Sequence, residues 1–110
     1  PRDPRPASRA PTLSHDPVQR GIRGKDVSLA VRVEPRDTYR VTLWYRSVPD
    51  GEWFSRGLDD GQDGTLDLVI PAGPWVRQEA TGVEYFVEVQ GPGGMSTVGS
   101  SDRPQRFRLY

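Results

Sequence analysis

Few side chains in this sequence are equipped for chemistry. A hydrolytic triad needs a histidine as its base, and His15, in Leu13-Ser14-His15-Asp16-Pro17, is the only one. On a strand, Ser14 would point to the face opposite His15, so the two do not make a nucleophile and its base. His15 is expected instead to cap or pack beside the first strand. No cysteine is present, which removes thiol chemistry and disulfides and nearly removes zinc. Asp59, Asp60 and Asp63 gather three carboxylates around Gly61 and Gly64, the oxygen-rich composition that calcium uses. They lack the spaced aspartates and distal glutamate of a helical calcium loop, and Asp and Gly also serve exposed turns. The three are weak metal candidates, best read as a tight connection between strands. Gly91-Pro92-Gly93-Gly94 is followed by neither Lys-Ser/Thr nor a helix, so it is no phosphate loop. Lys25 interrupts Arg23-Gly24-Lys25-Asp26, which excludes an Arg-Gly-Asp adhesion tripeptide. Paired carboxylates for glycoside hydrolysis would need an apolar pocket to raise one of them, and no neighbouring sequence offers one. The expectation is a non-enzyme without cofactors.

The elements that carry these residues fit within 110 residues, room for one domain and a short tail. The formal net charge is zero, so no overall field draws nucleic acid or an acidic membrane. No stretch approaches the roughly 20 apolar residues that cross a bilayer as a helix. Proline (11) and glycine (12) are frequent without reaching the composition of a disordered tract. The start at Pro1, without Met or an apolar signal core, suggests an excised fragment or a mature product. The 14 arginines against Lys25 alone hint at a GC-rich, bacterial source.

Residues 1–11 hold four prolines and three arginines with no apolar period, and read as an extended linker or frayed tail. From residue 12 to 110, strands alternate with turn chemistry. Val27, Leu29, Val31 and Val33 share one parity, as do Val41, Leu43 and Tyr45. Leu66, Leu68 and Ile70 do the same, and so do Val83, Tyr85, Val87 and Val89. Period-two alternation rich in β-branched and aromatic residues marks half-buried antiparallel strands. Weaker strands are expected at Thr12–Ser14, Trp53–Arg56, Met95–Val98 and Arg106–Leu109. Seven to eight short strands with a turn about every ten residues predict an all-β sandwich.

Thr81-Gly82-Val83-Glu84-Tyr85-Phe86-Val87-Glu88-Val89, then Gly93-Gly94-Met95-Ser96, resembles the sixth strand and following hairpin of a fibronectin type III or related immunoglobulin-like domain. Val41-Thr42-Leu43-Trp44-Tyr45-Arg46 resembles the third strand of that family. The resemblance runs from about Pro11 to Tyr110, is closest to bacterial modules of larger envelope or signalling proteins, and implies a periplasmic or extracellular location. It also implies that Tyr85 packs its ring inward and sends its hydroxyl to a backbone carbonyl of the preceding loop. Pro71–Val76 would cross between the sheets, with Trp75 or Val76 closing the bottom of the core.

Parity supplies the candidate site. With Val41, Leu43 and Tyr45 inward, Trp44 points outward; with Val83, Tyr85 and Val87 inward, so does Phe86. Third and sixth strands are neighbours in this topology, so the two rings are expected side by side on an exposed sheet face. Trp53 or Phe54 would extend the stripe, rimmed by Arg46, Glu84 and Glu88. Large rings ringed by charge suit a protein interface, with a protein partner or a neighbouring domain of the same chain as occupant. An alternative use is carbohydrate stacking on Trp44, Trp53 and Phe86, and strand addition along a sheet edge is a further possibility.

Overall fold

The computed structural model describes residues 10–49, 51–76 and 78–110. Nine strands are numbered in chain order: β1 Thr12–His15, β2 Arg20–Gly21, β3 Val27–Glu34, β4 Tyr39–Val48, β5 Phe54–Asp60, β6 Thr65–Ile70, β7 Gly82–Gly91, β8 Gly94–Val98 and β9 Gln105–Leu109. They form two sheets, one ordered β1-β3-β6 and the other β2-β9-β7-β4-β5, with β8 also on β7. All pairings are antiparallel except β2 with β9. The sheets face each other across one core, joined by crossovers such as β5 to β6. The fold is an immunoglobulin-like sandwich. Among the described residues, no helix is long and apolar enough to cross a membrane.

Alternation decides which side chains meet between the sheets. Leu29, Val31 and Val33 of β3 and Leu66, Leu68 and Ile70 of β6 cover one side. Val41, Leu43 and Tyr45 of β4, Val83, Tyr85, Val87 and Val89 of β7, and Phe107 of β9 cover the other. Trp75 packs against this cluster, its ring 4.8 Å from that of Tyr45, and its indole N–H donates to the Pro71 carbonyl at 2.7 Å. Side chains tie the two sheets at one flank: Arg56 donates to the Val69 carbonyl at 3.3 Å, and Asp60 accepts from the Asp67 N–H at 3.1 Å.

Four sequence expectations change. Residues 1–9 of the expected tail lie outside the described residues, but Pro11 is buried and its carbonyl accepts from the Ser96 hydroxyl, so it belongs to the sandwich. β5 does not end at Arg56 but runs to Asp60, because Val41 and Tyr39 of β4 continue to offer it partners. Asp59 and Asp60 are therefore strand residues rather than turn residues. The carboxylate of Asp60 accepts from the Gly61 and Asp67 N–H groups, and that of Asp63 from the Thr65 N–H. Both oxygens of Asp60 and one of Asp63 are thus engaged by backbone N–H groups, and no group of three metal-ligating side chains gathers among the described residues.

The fourth change is β2, which no apolar pattern announces. It docks in parallel on β9, Arg20 beside Arg108 and Gly21 beside Leu109. A Cβ on Gly21 would lie 2.8 Å from the Phe107 ring and 3.0 Å from Val27. The close approach explains the glycine. Gly21→Ala should therefore cost about 1–3 kcal/mol by overpacking, measured as a lowered urea midpoint with an unchanged m-value.

Candidate functional site

β4 and β7 are paired so that Trp44 lies opposite Phe86, and Arg46 opposite Glu84. β9 continues the row on the far side, placing Arg106 opposite Glu84. All these side chains leave the outer face of the larger sheet, since their chain neighbours Tyr45, Tyr85 and Phe107 fill the core. Trp44 and Phe86 stack with ring centres 5.8 Å apart and planes 10° from parallel. The Trp53 ring stands edge-on to Phe86 at 5.0 Å, inclined at 75°. Arg46 lies over Trp53, its guanidinium carbon 4.5 Å from the ring centre, a cation–π distance. The Trp44 indole N–H donates to Glu88 at 2.8 Å.

Trp53, not Phe54, extends the aromatic row. Phe54 begins β5 on the opposite parity and meets Tyr45 and Trp75 at 6.1 and 6.4 Å. Two further expectations need correction. Phe86 points outward but is only 8% exposed, and Glu84 is not a rim residue but 4% exposed. Ring packing from Trp44 and Trp53 hides Phe86 on one side.

On the other side it is hidden by an interruption in the sheet. β8 pairs with residues 87–91 of β7 and β9 with residues 82–85, so together they form one broken strand. Between them residues 99–104 leave the sheet. Gly99 allows the departure: its φ is +73°, and a Cβ there would meet the Phe86 Cβ at 3.4 Å. The excursion is held by a Ser100 N–H bond to the Arg103 carbonyl (3.2 Å) and an Arg103 N–H bond to the Ser100 hydroxyl (3.1 Å). It brings Ser100 and Ser101 to the rings. They join Trp44, Trp53, Phe86, Glu88 and Thr97 around a cleft of about 330 Å³.

Glu84 sits between two guanidiniums. Arg46 reaches one carboxylate oxygen through Nε at 2.8 Å and Nη2 at 2.7 Å. Arg106 reaches the other through Nε at 3.1 Å and Nη2 at 2.5 Å. Burial alone would raise this carboxyl, but the hydrogen bonds and charges of Arg106 and Arg46 outweigh it and hold it below the usual carboxylate range. Through Arg46, the ion triad also braces Trp53.

His15 lies elsewhere and serves the core. Its Nδ1 is 2.8 Å from the Ala30 carbonyl, which only accepts, so Nδ1 carries the proton in the neutral ring. Nε2 then accepts from the Tyr85 hydroxyl at 2.7 Å, while the hydroxyl oxygen accepts from the Val18 N–H at 3.4 Å. The bond expected from Tyr85 to a preceding-loop carbonyl is replaced by this chain to β1 and the segment after it. Burial pushes the Tyr85 phenol up, against a smaller opposing effect of the Val18 N–H.

No protein-family model matches this chain, and no curated protein does. Among solved structures it is similar to one described as murine CRIg. The two share 17% identity and a TM-score of 0.43, over 90% of this chain and 95% of that one.

The arrangement therefore brings Trp44, Phe86, Trp53, Arg46, Glu84 and Glu88 onto one face, with Phe86 and Glu84 as its buried foundation. Sequence reading missed Arg106, Thr97, Ser100 and Ser101. Arg106 was accessible in principle, because it alternates with inward Phe107 on a strand beside the sixth. The cleft wall was not, because nothing in Gly99–Pro104 shows which way a broken strand swings.

Proposed function

We propose that the domain is a non-catalytic interaction module of a larger bacterial, envelope-associated protein, acting in the periplasm or outside the cell. Its outer cleft receives an apolar side chain of a protein partner or of a neighbouring domain in the same chain. One observation carries the reading: the three rings are locked to one another and to Arg46 and Glu88 before any partner arrives. A surface fixed in advance loses little side-chain entropy on binding, which is what lets a small hot spot bind measurably. The arginine-rich, lysine-poor composition supports the bacterial assignment.

Affinity capture from the source organism tests this, with wild type beside Trp53→Ala. Trp53 lies outside the core, so the variant keeps its fold, checked by its melting temperature. Binding of the captured protein should fall about 30-fold or more, as for truncation of a hot-spot ring. Equal capture by both proteins overturns the proposal. A second reading, a carbohydrate module, is favoured by the hydroxyls of Thr97, Ser100 and Ser101 and the Glu88 carboxylate beside the rings. A saturable shift of tryptophan fluorescence during a polysaccharide titration, lost in Trp44→Ala, would establish that reading in place of the first.

A further inference from the structure

The same sheet carries a second, chemically different surface at its β2–β9 edge. Phe107 turns inward, so its neighbours Arg106 and Arg108 both project outward and are exposed. Gly21 faces the Phe107 ring, so Arg20 projects outward too, directly beside Arg108 in the parallel register. Like charges placed opposite one another weaken a ladder. Nothing in the packing requires them, since Gly21 and Phe107 make the contact between these strands. Among the described residues, neither Arg20 nor Arg108 has a carboxylate partner; Arg20 lies with its guanidinium carbon 6.0 Å from the centre of the exposed Tyr110 ring. Arg106 is held by Glu84 yet its side chain remains 66% exposed. With Pro17 and Tyr110, the three guanidiniums line an open groove of about 740 Å³.

We propose that this groove binds an extended acidic peptide segment with carboxylates on alternate residues. Strand residues two apart project from the same face about 6.7 Å from each other, and Arg106 and Arg108 have that relation. An extended ligand with Asp or Glu at i and i+2 repeats the same spacing. One carboxylate meets the exposed Nη1 side of Arg106, since Glu84 is held through Nε and Nη2. The next falls between Arg108 and Arg20, which stand one ladder step apart, about 4.8 Å. Guanidinium groups suit this task because their planar donors pair with carboxylates two bonds at a time. The anion in the groove relieves the repulsion that the bare ladder carries. A nucleic acid or an anionic bilayer presents charge over a wide surface and is attracted by a broadly basic one. This chain is neutral overall, and its cations here form a short row on a strand. That geometry matches a peptide. The groove shares Arg106 with the ion triad behind the aromatic cleft, but its lining has no residue in common with the cleft's. Arg20 and Arg108 belong to the groove alone, so substitutions at those two test it independently.

Fluorescence anisotropy of a labelled peptide, Glu-Ala-Glu-Ala-Glu with blocked ends, titrated with the whole domain at low ionic strength, tests the inference. Saturable binding is expected, weakening as salt rises. The exposed double variant Arg20→Gln/Arg108→Gln should bind at least about tenfold more weakly, and Arg20→Gln alone should fall between it and wild type. A peptide of the same composition with its three glutamates consecutive should bind about threefold or more weakly. Trp53→Ala should bind the alternating peptide as wild type does. The proposal is overturned by absence of saturation, by equal binding of the double variant, or by equal binding of the consecutive peptide. Tighter binding of a single-stranded oligonucleotide or of phosphatidylserine vesicles also overturns it.

Discussion

Tyr85→Ala is expected to cost the domain about 3–5 kcal/mol, the range for deleting a large ring from a closed core. Few positions should matter more, because Tyr85 is wholly buried and its ring lies 6.0 Å from Phe107 and 5.8 Å from His15. Removing it opens the contact between β7 and β9 and detaches the segment at β1. Domains of this size are stable by only about 5–15 kcal/mol, so the variant should be largely unfolded by mild denaturant. Tyr85→Phe separates the two roles of the residue. It keeps the ring and leaves the Val18 N–H and His15 Nε2 without the hydroxyl, a loss of roughly 1–2 kcal/mol for half-exposed groups. Urea unfolding followed by tryptophan fluorescence measures both. Equal stability of Tyr85→Phe and wild type would mean that the hydroxyl chain through His15 contributes nothing. The alkaline limb gives an independent check. The folded phenol titrates above its ordinary value near 10, so the protonated form is favoured by folding. Its stabilisation is complete below about pH 10 and is lost as the pH rises through the folded value. Tyr39, raised by burial and then by Asp37, contributes a further part of this limb, which Tyr85→Phe leaves in place.

The second large effect is at Glu84 and shows itself in acid. Its folded carboxyl titrates below the unfolded value of about 4.3, so folding favours the charged form. The contribution is complete above that unfolded value and disappears as the pH falls through the lower folded one. Wild type should therefore lose stability on acidification by an amount that Glu84→Gln does not. At neutral pH, removing one partner of a fully buried ion pair costs about 3–5 kcal/mol. Here the arginine side chains are 33% and 66% exposed, and hydration of the released guanidiniums reduces the loss to roughly 1–2 kcal/mol. Parallel acid titrations of the two proteins, read by circular dichroism, decide the matter. Superimposable acid limbs would show that the triad does not control acid stability. Since Arg46 also lies over Trp53, Glu84→Gln should change tryptophan emission even where the protein stays folded.

How far the molecule could be read from its residues depends on the distance over which each rule acts. Alternation is local, and it separates Val41, Leu43 and Tyr45, which join the core cluster, from Trp44, and Val83, Tyr85 and Val87 from Phe86, which lies outside that cluster. The pairing of Trp44 with Phe86 needed only the neighbour relation of two strands. Depth on the outer face was not legible, because it depends on what crosses over the sheet. Glu84 is buried by arginines from two other strands, and Phe86 by Trp53 and by residues 99–104. The choice between Trp53 and Phe54 turned on register with β4, which sets Phe54 opposite inward-facing Tyr45. Likewise, the Tyr85 hydroxyl found a partner 70 residues earlier in the chain, a distance at which no spacing rule operates.

The broken strand has an evolutionary consequence. β8 ends in register with Val87, and β9 resumes in register with Tyr85, so both flanks of residues 99–104 are fixed by the same continuous β7. Changes of length or composition after Gly99, which its positive φ and its approach to Phe86 hold as glycine, leave the core ladder untouched while reshaping one wall of the cleft. Under the proposed function, selection for folding and selection for what the cleft wall meets would act on different residues. A lineage built on this frame can change what it recognises without relearning how to fold.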